Sequence, residues 1–212
     1  MEYQLKMISI KACNLFTAIG GFCLARRVSC QPKYSKYNNT GGNPPAFRYA
    51  YSCRPKQAAK GGKCGEDACV AIPNGEKLLL AVADGVGGWR SKGVDPSIFS
   101  NQLIDNLADL FTSSAADNNK DSTLIEKVKT AFWRMADRSK RQIIGSSTVA
   151  AAVVDRRQNC METVNIGDSG ILLIRDDKVV WQTHPKQTGF NAPLQLSLQM
   201  DGSAIDVTPR AD

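Results

Sequence analysis

Residues 77–84, Lys-Leu-Leu-Leu-Ala-Val-Ala-Asp, constrain this chain more than any other stretch. Six apolar side chains in a row cannot alternate between core and water, so a strand built from them must be covered on both faces. The run is too short to span a bilayer, and no stretch of about 18 apolar residues without a charge occurs in the sequence. Asn74-Gly75 separates it from a second apolar run at 68–73, which predicts a β-hairpin. The buried strand therefore delivers a carboxylate, Asp84, to its exit, and Gly85-Val86-Gly87-Gly88 follows.

Downstream, Asp95-Pro96 reads as a helix start, with Phe99, Leu103, Leu107 and Leu110 at helical spacing. Thr123 and Glu126 form a capping-box pattern ahead of Leu124, Val128, Phe132 and Met135, a second helix expected to stop near Gly145. Strand-like runs follow at 148–154, 162–166, 170–174 and 178–183, the last two separated by the turn Asp176-Asp177. Strands, two helices and strands again do not make the strict alternation of a doubly wound sheet. The pattern predicts an α+β domain of antiparallel sheets covered by helices.

Charge divides the chain in two. Between Tyr3 and Gly65 there are eleven Lys/Arg and no Asp or Glu. Residues 66–212 carry sixteen basic and nineteen acidic side chains, a net of −3, so the overall +7 belongs to the first third alone. The leader at 1–30, free of acidic residues after Glu2 and with Arg26-Arg27 after the apolar stretch 12–25, has the composition of an organelle transit peptide. A secretory signal is the alternative, weakened by Asn14, Thr17 and Gly20-Gly21. Pro32, Gly41-Gly42, Pro44-Pro45, Pro55 and Gly61-Gly62 make 31–62 a linker. Two regions are expected: a basic transit peptide and linker at 1–62, and a folded domain at 63–212. No nucleic-acid-binding module and no membrane span are expected, because the basic residues do not gather into a recognisable binding motif.

Seven cysteines without a C-x-x-C pair, and a single histidine, His184, leave no ligand set for a zinc finger. The irregular, odd set reads as reduced and mostly buried thiols. A serine-histidine-aspartate hydrolase would depend on His184, and no G-x-S-x-G elbow accompanies it. What remains is carboxylate chemistry: Glu66-Asp67, Asp84-Gly85 and Asp168 all stand where strands end or loops begin. Oxygen donors on rigid strands suit a hard ion, Mg²⁺ or Mn²⁺, and a glycine after the carboxylate lets its carbonyl approach the ion closely.

Gly65-Glu66-Asp67-Ala68, Ala83-Asp84-Gly85-Val86-Gly87-Gly88-Trp89, Gly145-Ser146-Ser147-Thr148 and Asn165-Ile166-Gly167-Asp168-Ser169-Gly170 occur in this order. In order and rough spacing they resemble the motifs of the metal-dependent type-2C Ser/Thr protein phosphatases, the PPM family, over about residues 63–198. The Asp-Gly-Val-Gly-Gly-Trp form, with Gly93-Val94-Asp95-Pro96 after it, is similar to the mitochondrial and plastid branch. The resemblance implies a β-sandwich flanked by helices, with two or three Mn²⁺/Mg²⁺ ions at one end. It implies hydrolysis of phosphoserine or phosphothreonine in phosphorylated protein substrates by a metal-activated water. By motif, Asp84 bridges two ions as the catalytic carboxylate and Gly85 offers its carbonyl. Asp67, and Glu66 in an outer position, act through metal-bound water, and Asp168 helps hold a third ion. The mitochondrial matrix is the implied compartment, with plastid import or secretion as alternatives.

The sequence also departs from that pattern. Val86 stands where many members carry a histidine, and Gly62 stands five residues before Asp67, where they carry a phosphate-binding arginine. His184 is assigned no role. A buried strand ending in a second Asp-Gly pair, and a later Asp turn, do not occur between 198 and Asp212; Asp201-Gly202 follows Gln199-Met200 instead. The resemblance thus implies a phosphatase-type domain lacking its C-terminal part, and leaves open a non-catalytic binding or regulatory protein. Ser146, Ser147 and Thr148 are expected to start a core strand.

Overall fold

The computed structural model describes residues 3–8, 47, 49, 64–113, 122–137 and 143–205. The strands are β1 (Tyr3–Ile8), β2 (Asp67–Asn74), β3 (Lys77–Asp84), β4 (Gly145–Ser147), β5 (Val149–Asp155) and β6 (Cys160–Ile166). They continue as β7 (Gly170–Arg175), β8 (Lys178–Gln182), β9 (Gln187–Gly189), β10 (Ala192–Pro193), β11 (Leu196–Leu198) and β12 (Ala204–Ile205). A 3-10 helix, Gly87–Lys92, and two α-helices, α1 (Pro96–Ser113) and α2 (Leu124–Met135), lie between β3 and β4.

The main sheet runs β2-β3-β5-β6, antiparallel throughout, with the predicted apolar run as its second strand. Period-two side-chain alternation splits β5 between two faces. Val149, Ala151 and Val153 join the large core under α1 and α2, whereas Ala150 and Ala152 pack with Ile171 of β7 on the other side. Alanine on that second face lets the sheet β1-β7-β8 approach closely. The result is an α+β sandwich with helices over its outer face, the expected class.

The helices form where their signals stand. Asp95 accepts the Ser97 N–H at 3.0 Å ahead of Pro96, and Phe99, Leu103 and Leu107 are fully buried. Each such side chain contributes about 1.5–3 kcal/mol by leaving water. At α2 the Thr123–Glu126 capping box is complete, with Thr123 N–H on Glu126 Oε2 at 2.8 Å. This helix ends at Met135, well before Gly145.

Other boundaries shift for physical reasons. The first hairpin loop is Gly75-Glu76, with Asn74 still paired to Lys77 in the ladder. Gly75, at φ +58°, takes the first loop position, where a two-residue hairpin of this kind wants glycine. Asp176 and Asp177 both adopt positive φ, 49° and 59°, and close the β7–β8 hairpin as predicted. The expected strand at 148–154 is broken at Thr148 into β4 and β5, because β4 leaves the main sheet to pair with β11.

Six residues of the segment assigned to the leader, Tyr3–Ile8, form a strand antiparallel to β7. Apart from these and positions 47 and 49, the transit-peptide and linker expectations for 1–62 lie outside the described residues. The reduced, buried thiols are corrected in part. Cys64 is disulfide-bonded, Cys69 is half-buried and in no disulfide, and Cys160 is a free thiol exposed at the start of β6. No helix among the described residues is long and apolar enough to cross a membrane.

Candidate metal centre

Asp67 is the first residue of β2 and Asp84 the last of β3, and the antiparallel register sets them directly opposite one another. Residues so paired have Cβ atoms roughly 5 Å apart on the same face, and two like charges there repel. Such a pair is a natural place for a cation. Asp84 is buried, at 8% exposure.

Backbone contacts gather the other motif segments around this pair. Gly85 N–H donates to the Glu66 carbonyl at 3.1 Å, and Ser100 of α1 donates its hydroxyl to that same carbonyl at 2.6 Å. A Cβ on Gly85 would lie 2.5 Å from the Pro96 carbonyl oxygen and 2.7 Å from that of Glu66, so only glycine fits. Gly87 leaves room for the Glu66 carboxylate, whose Oε1 would stand 2.9 Å from a Cβ there. The side chain of Glu66 therefore lies against the Asp-Gly-Val-Gly turn, and Arg90 Nε donates to its Oε1 at 2.7 Å.

The Gly-Ser-Ser-Thr segment ties this turn to the next. Gly85 bridges to Ser147, and Val86 N–H donates to the Ser146 carbonyl at 3.0 Å. Thr148 N–H donates to the Asp84 carbonyl at 3.0 Å, while Thr148 Oγ1 accepts from Asp84 N–H at 3.3 Å. Thr148 Oγ1 also shares a 2.9 Å hydrogen bond with Ser169 Oγ. Asp168 is thereby carried on the β6–β7 turn beside Ser169, which is joined to Asp84 through Thr148. Gly167, at φ +100°, leaves no room for a Cβ, which would meet Thr148 Cγ2 at 2.6 Å. Burial raises the Asp168 pKa above the ordinary carboxylate value.

The three segments holding Glu66-Asp67, Asp84-Gly85 and Asp168 thus converge at one end of the sandwich. The oxygen donors fit a hard divalent ion in kind. They fall short in number, since no group of three or more His, Cys, Asp or Glu side chains placed to hold a metal occurs among the described residues. His184 is exposed, and its carbonyl accepts from Asn165. Asp201 accepts from Ser203 N–H in a surface turn, and Asp206 and Asp212 lie outside the described residues.

Two features were given no role from sequence. Trp89 is buried with its indole N–H on Ser146 Oγ at 2.7 Å, so the Gly-Gly-Trp and Gly-Ser-Ser segments interlock. Beside them opens a cleft of about 540 Å³ lined by Val86, Trp89, Lys92, Thr188, Leu194 and Gln195. The second is Arg90, whose only sequence signal is that it follows Trp89.

Residues 55–193 match the sequence model of the family described as "Protein phosphatase 2C". The chain is 36% identical over 160 residues to "Protein phosphatase PTC7 homolog" of Danio rerio, covering 74% of this chain and 52% of that protein. The protein of the same name in Homo sapiens is also 36% identical, over 74% of this chain and 51% of its own length. "Protein phosphatase 2C homolog 7, mitochondrial" of Saccharomyces cerevisiae is 33% identical over 137 residues, with 63% and 39% covered. The chain spans about half the length of the curated relatives it matches. Among solved structures, "X-ray structure of the photosystem II phosphatase PBCP" aligns with a TM-score of 0.54 and 28% identity, over 66% of this chain and 51% of that one.

Proposed function

Because the chain belongs to the protein phosphatase 2C family, we propose that it supplies the Asp67–Asp84 half of a metal-dependent phosphatase centre acting on phosphoserine or phosphothreonine in proteins. The observation that carries this reading is the direct opposition of Asp67 and Asp84 at one sheet end, with the close-packed Gly85 beside them. In this reading Asp84 and the Gly85 carbonyl would hold Mn²⁺ or Mg²⁺ directly. Asp67 and Glu66 would orient water around the ion, and Asp168 would serve a further ion. When bound, the ion supplies an acidified water and charge neutralisation at the phosphoryl oxygens. The chain's own contribution is rigidity: Thr148, Ser169 and Ser100 anchor the three carrying turns to the core. The neighbouring cleft offers room for polypeptide flanking the phosphorylated residue.

A second reading, a non-catalytic phosphoprotein-binding or regulatory role, is favoured by the shortage of ligands among the described residues. The purified chain, assayed on a phosphothreonine peptide in millimolar Mn²⁺, separates the two. Mn²⁺-dependent phosphate release that Asp84→Asn abolishes supports the enzyme. Undiminished turnover in the Asn variant refutes the centre, and peptide binding without turnover favours the second reading.

Mitochondrial import remains part of the proposal, supported by the acid-free residues 3–65 and by a relative whose name is mitochondrial. A reporter fused behind residues 1–62 should enter mitochondria; a cytosolic or secreted reporter would refute it.

A further inference from the structure

We propose that Arg90 is the phosphate-binding side chain of this centre, holding a phosphoryl dianion on the terminal nitrogens of its guanidinium while Nε stays on Glu66. The inference rests on the phosphatase reading and adds the residue that receives the substrate's charge.

Arg90 lies in the 3-10 helix that begins at Gly87, directly after the Asp84-Gly85 turn. Its carboxylate partner, Glu66, packs against Gly87, and the Glu66 carbonyl accepts the Gly85 N–H. The guanidinium therefore borders the turn that carries Asp84.

A guanidinium has five N–H donors, four of them on the two terminal nitrogens in a fork that matches phosphate oxygens. Arg90 uses Nε on Glu66, and its terminal nitrogens make no hydrogen bond among the described residues. The side chain is 64% exposed, whereas that of Glu66 is 14% exposed. One edge of the group is thus docked on the protein and the fork faces solvent. Docking on Glu66 restricts the side chain before any anion arrives, which lowers the entropy cost of gripping one.

Glu66, Asp67, Asp84 and Asp168 together repel a phosphate dianion, so an anion entering this end without a bound ion needs a permanently charged donor. Arginine remains charged at every relevant pH, and the Glu66 carboxylate raises its pKa further. Lys92, two residues on, instead holds its ammonium over the Trp89 ring, 4.8 Å from the centroid, facing the cleft.

The alternative role for Arg90 is purely structural, as the clamp that orients Glu66. Variants of the two partners separate these roles by sign. The purified full chain is titrated with a fluorescent phosphothreonine peptide and its unphosphorylated twin, once in EDTA and once in Mn²⁺. Wild type should favour the phosphopeptide in both. Arg90→Gln should lose about tenfold of that preference, and Arg90→Lys several-fold, because one ammonium cannot grip two oxygens. Lys178→Gln, an exposed lysine at the β7–β8 hairpin, should change it little. Glu66→Gln, which deletes a negative charge and frees Nε, should leave phosphopeptide affinity in EDTA unchanged or tighter. If Arg90 only orients Glu66, the Arg90→Gln and Glu66→Gln variants should weaken binding alike, and that result would overturn the proposal. So would a wild type with no preference for the phosphopeptide, or a folded Arg90→Gln that keeps it. Should Arg90→Gln not fold, Arg90→Lys decides: reduced preference supports the proposal and unchanged preference refutes it. The EDTA arm judges Arg90 even if Asp84→Asn shows the phosphatase reading to be wrong, and turnover judges Asp84 even if Arg90 binds nothing.

Discussion

Replacing Thr148 by valine removes a single hydroxyl from the stitch that connects the Asp84 and Asp168 turns. Thr148 is 2% exposed, and its side chain is nearly isosteric with valine, so neither a cavity nor overpacking follows. The Thr148 N–H to Asp84 carbonyl bond, at 3.0 Å, belongs to the backbone and survives. Lost are the 3.3 Å bond from Asp84 N–H and the 2.9 Å bond with Ser169 Oγ. The first is long and contributes less. The second leaves the Ser169 hydroxyl, 1% exposed, without this partner, and stranding a buried polar group costs about 1–3 kcal/mol. Together the substitution should cost about 3 kcal/mol. With a urea m-value of about 2 kcal/mol/M, the unfolding midpoint should fall by about 1.5 M at unchanged m. Thr148→Ser, which keeps the hydroxyl and loses a methyl group packed on Gly167, should cost only about 1 kcal/mol. A double-mutant cycle with Ser169→Ala should give a coupling of at least about 1 kcal/mol. A valine variant melting within about 0.3 M of wild type, on the m-value scale used above, would refute the claim that this hydroxyl joins the turns.

Gly167→Ala should destabilise the fold by several kcal/mol, on the order of 3, because it adds left-handed strain to a Cβ 2.8 Å from the Leu194 carbonyl oxygen; a midpoint equal to wild type in the same urea titration would contradict the packing described. Asp155 is held below the ordinary carboxylate pKa, chiefly by the N–H of Gln158 at 2.9 Å and also by Lys77 at 3.3 Å, against the opposing effect of burial. A depressed native pKa stabilises the fold above the unfolded value, about 3.9, and that stabilisation is lost as pH falls through the native one. The stability gap between wild type and Asp155→Asn should therefore be full at pH 7 and close progressively in acid, whereas a gap that stays constant down to about pH 2.5 would refute the assignment.

Much of the fold was legible because it is local. The capping box at Thr123, the left-handed turn at Asp176-Asp177 and the helical spacing from Phe99 to Leu107 depend on residues within a few positions of one another. Boundaries failed where a distant partner intervened. Thr148 reads as part of a single strand, yet β4 is drawn to β11, whose residues come about fifty positions later. Tyr3–Ile8 reads as part of a basic leader, yet its backbone groups meet those of β7.

By itself the sequence determined which residues are candidates for the chemistry. Carboxylates at strand exits, glycines after them and a shortage of histidine make hard-ion oxygen chemistry the expectation without reference to any fold. Only the tertiary structure decided how those residues meet. It set Asp67 opposite Asp84 through the β2–β3 register, joined the Asp168 turn to them through Thr148 and Ser169, and laid Glu66 between Gly87 and Arg90. The reason is that residue identity sets what a group can do, whereas proximity between segments tens of residues apart is set by strand pairing and core packing. Arg90 shows the difference most clearly. In the sequence it is one basic residue among twenty-seven, and in the fold it is the guanidinium docked against the Glu66 carboxylate that packs on Gly87.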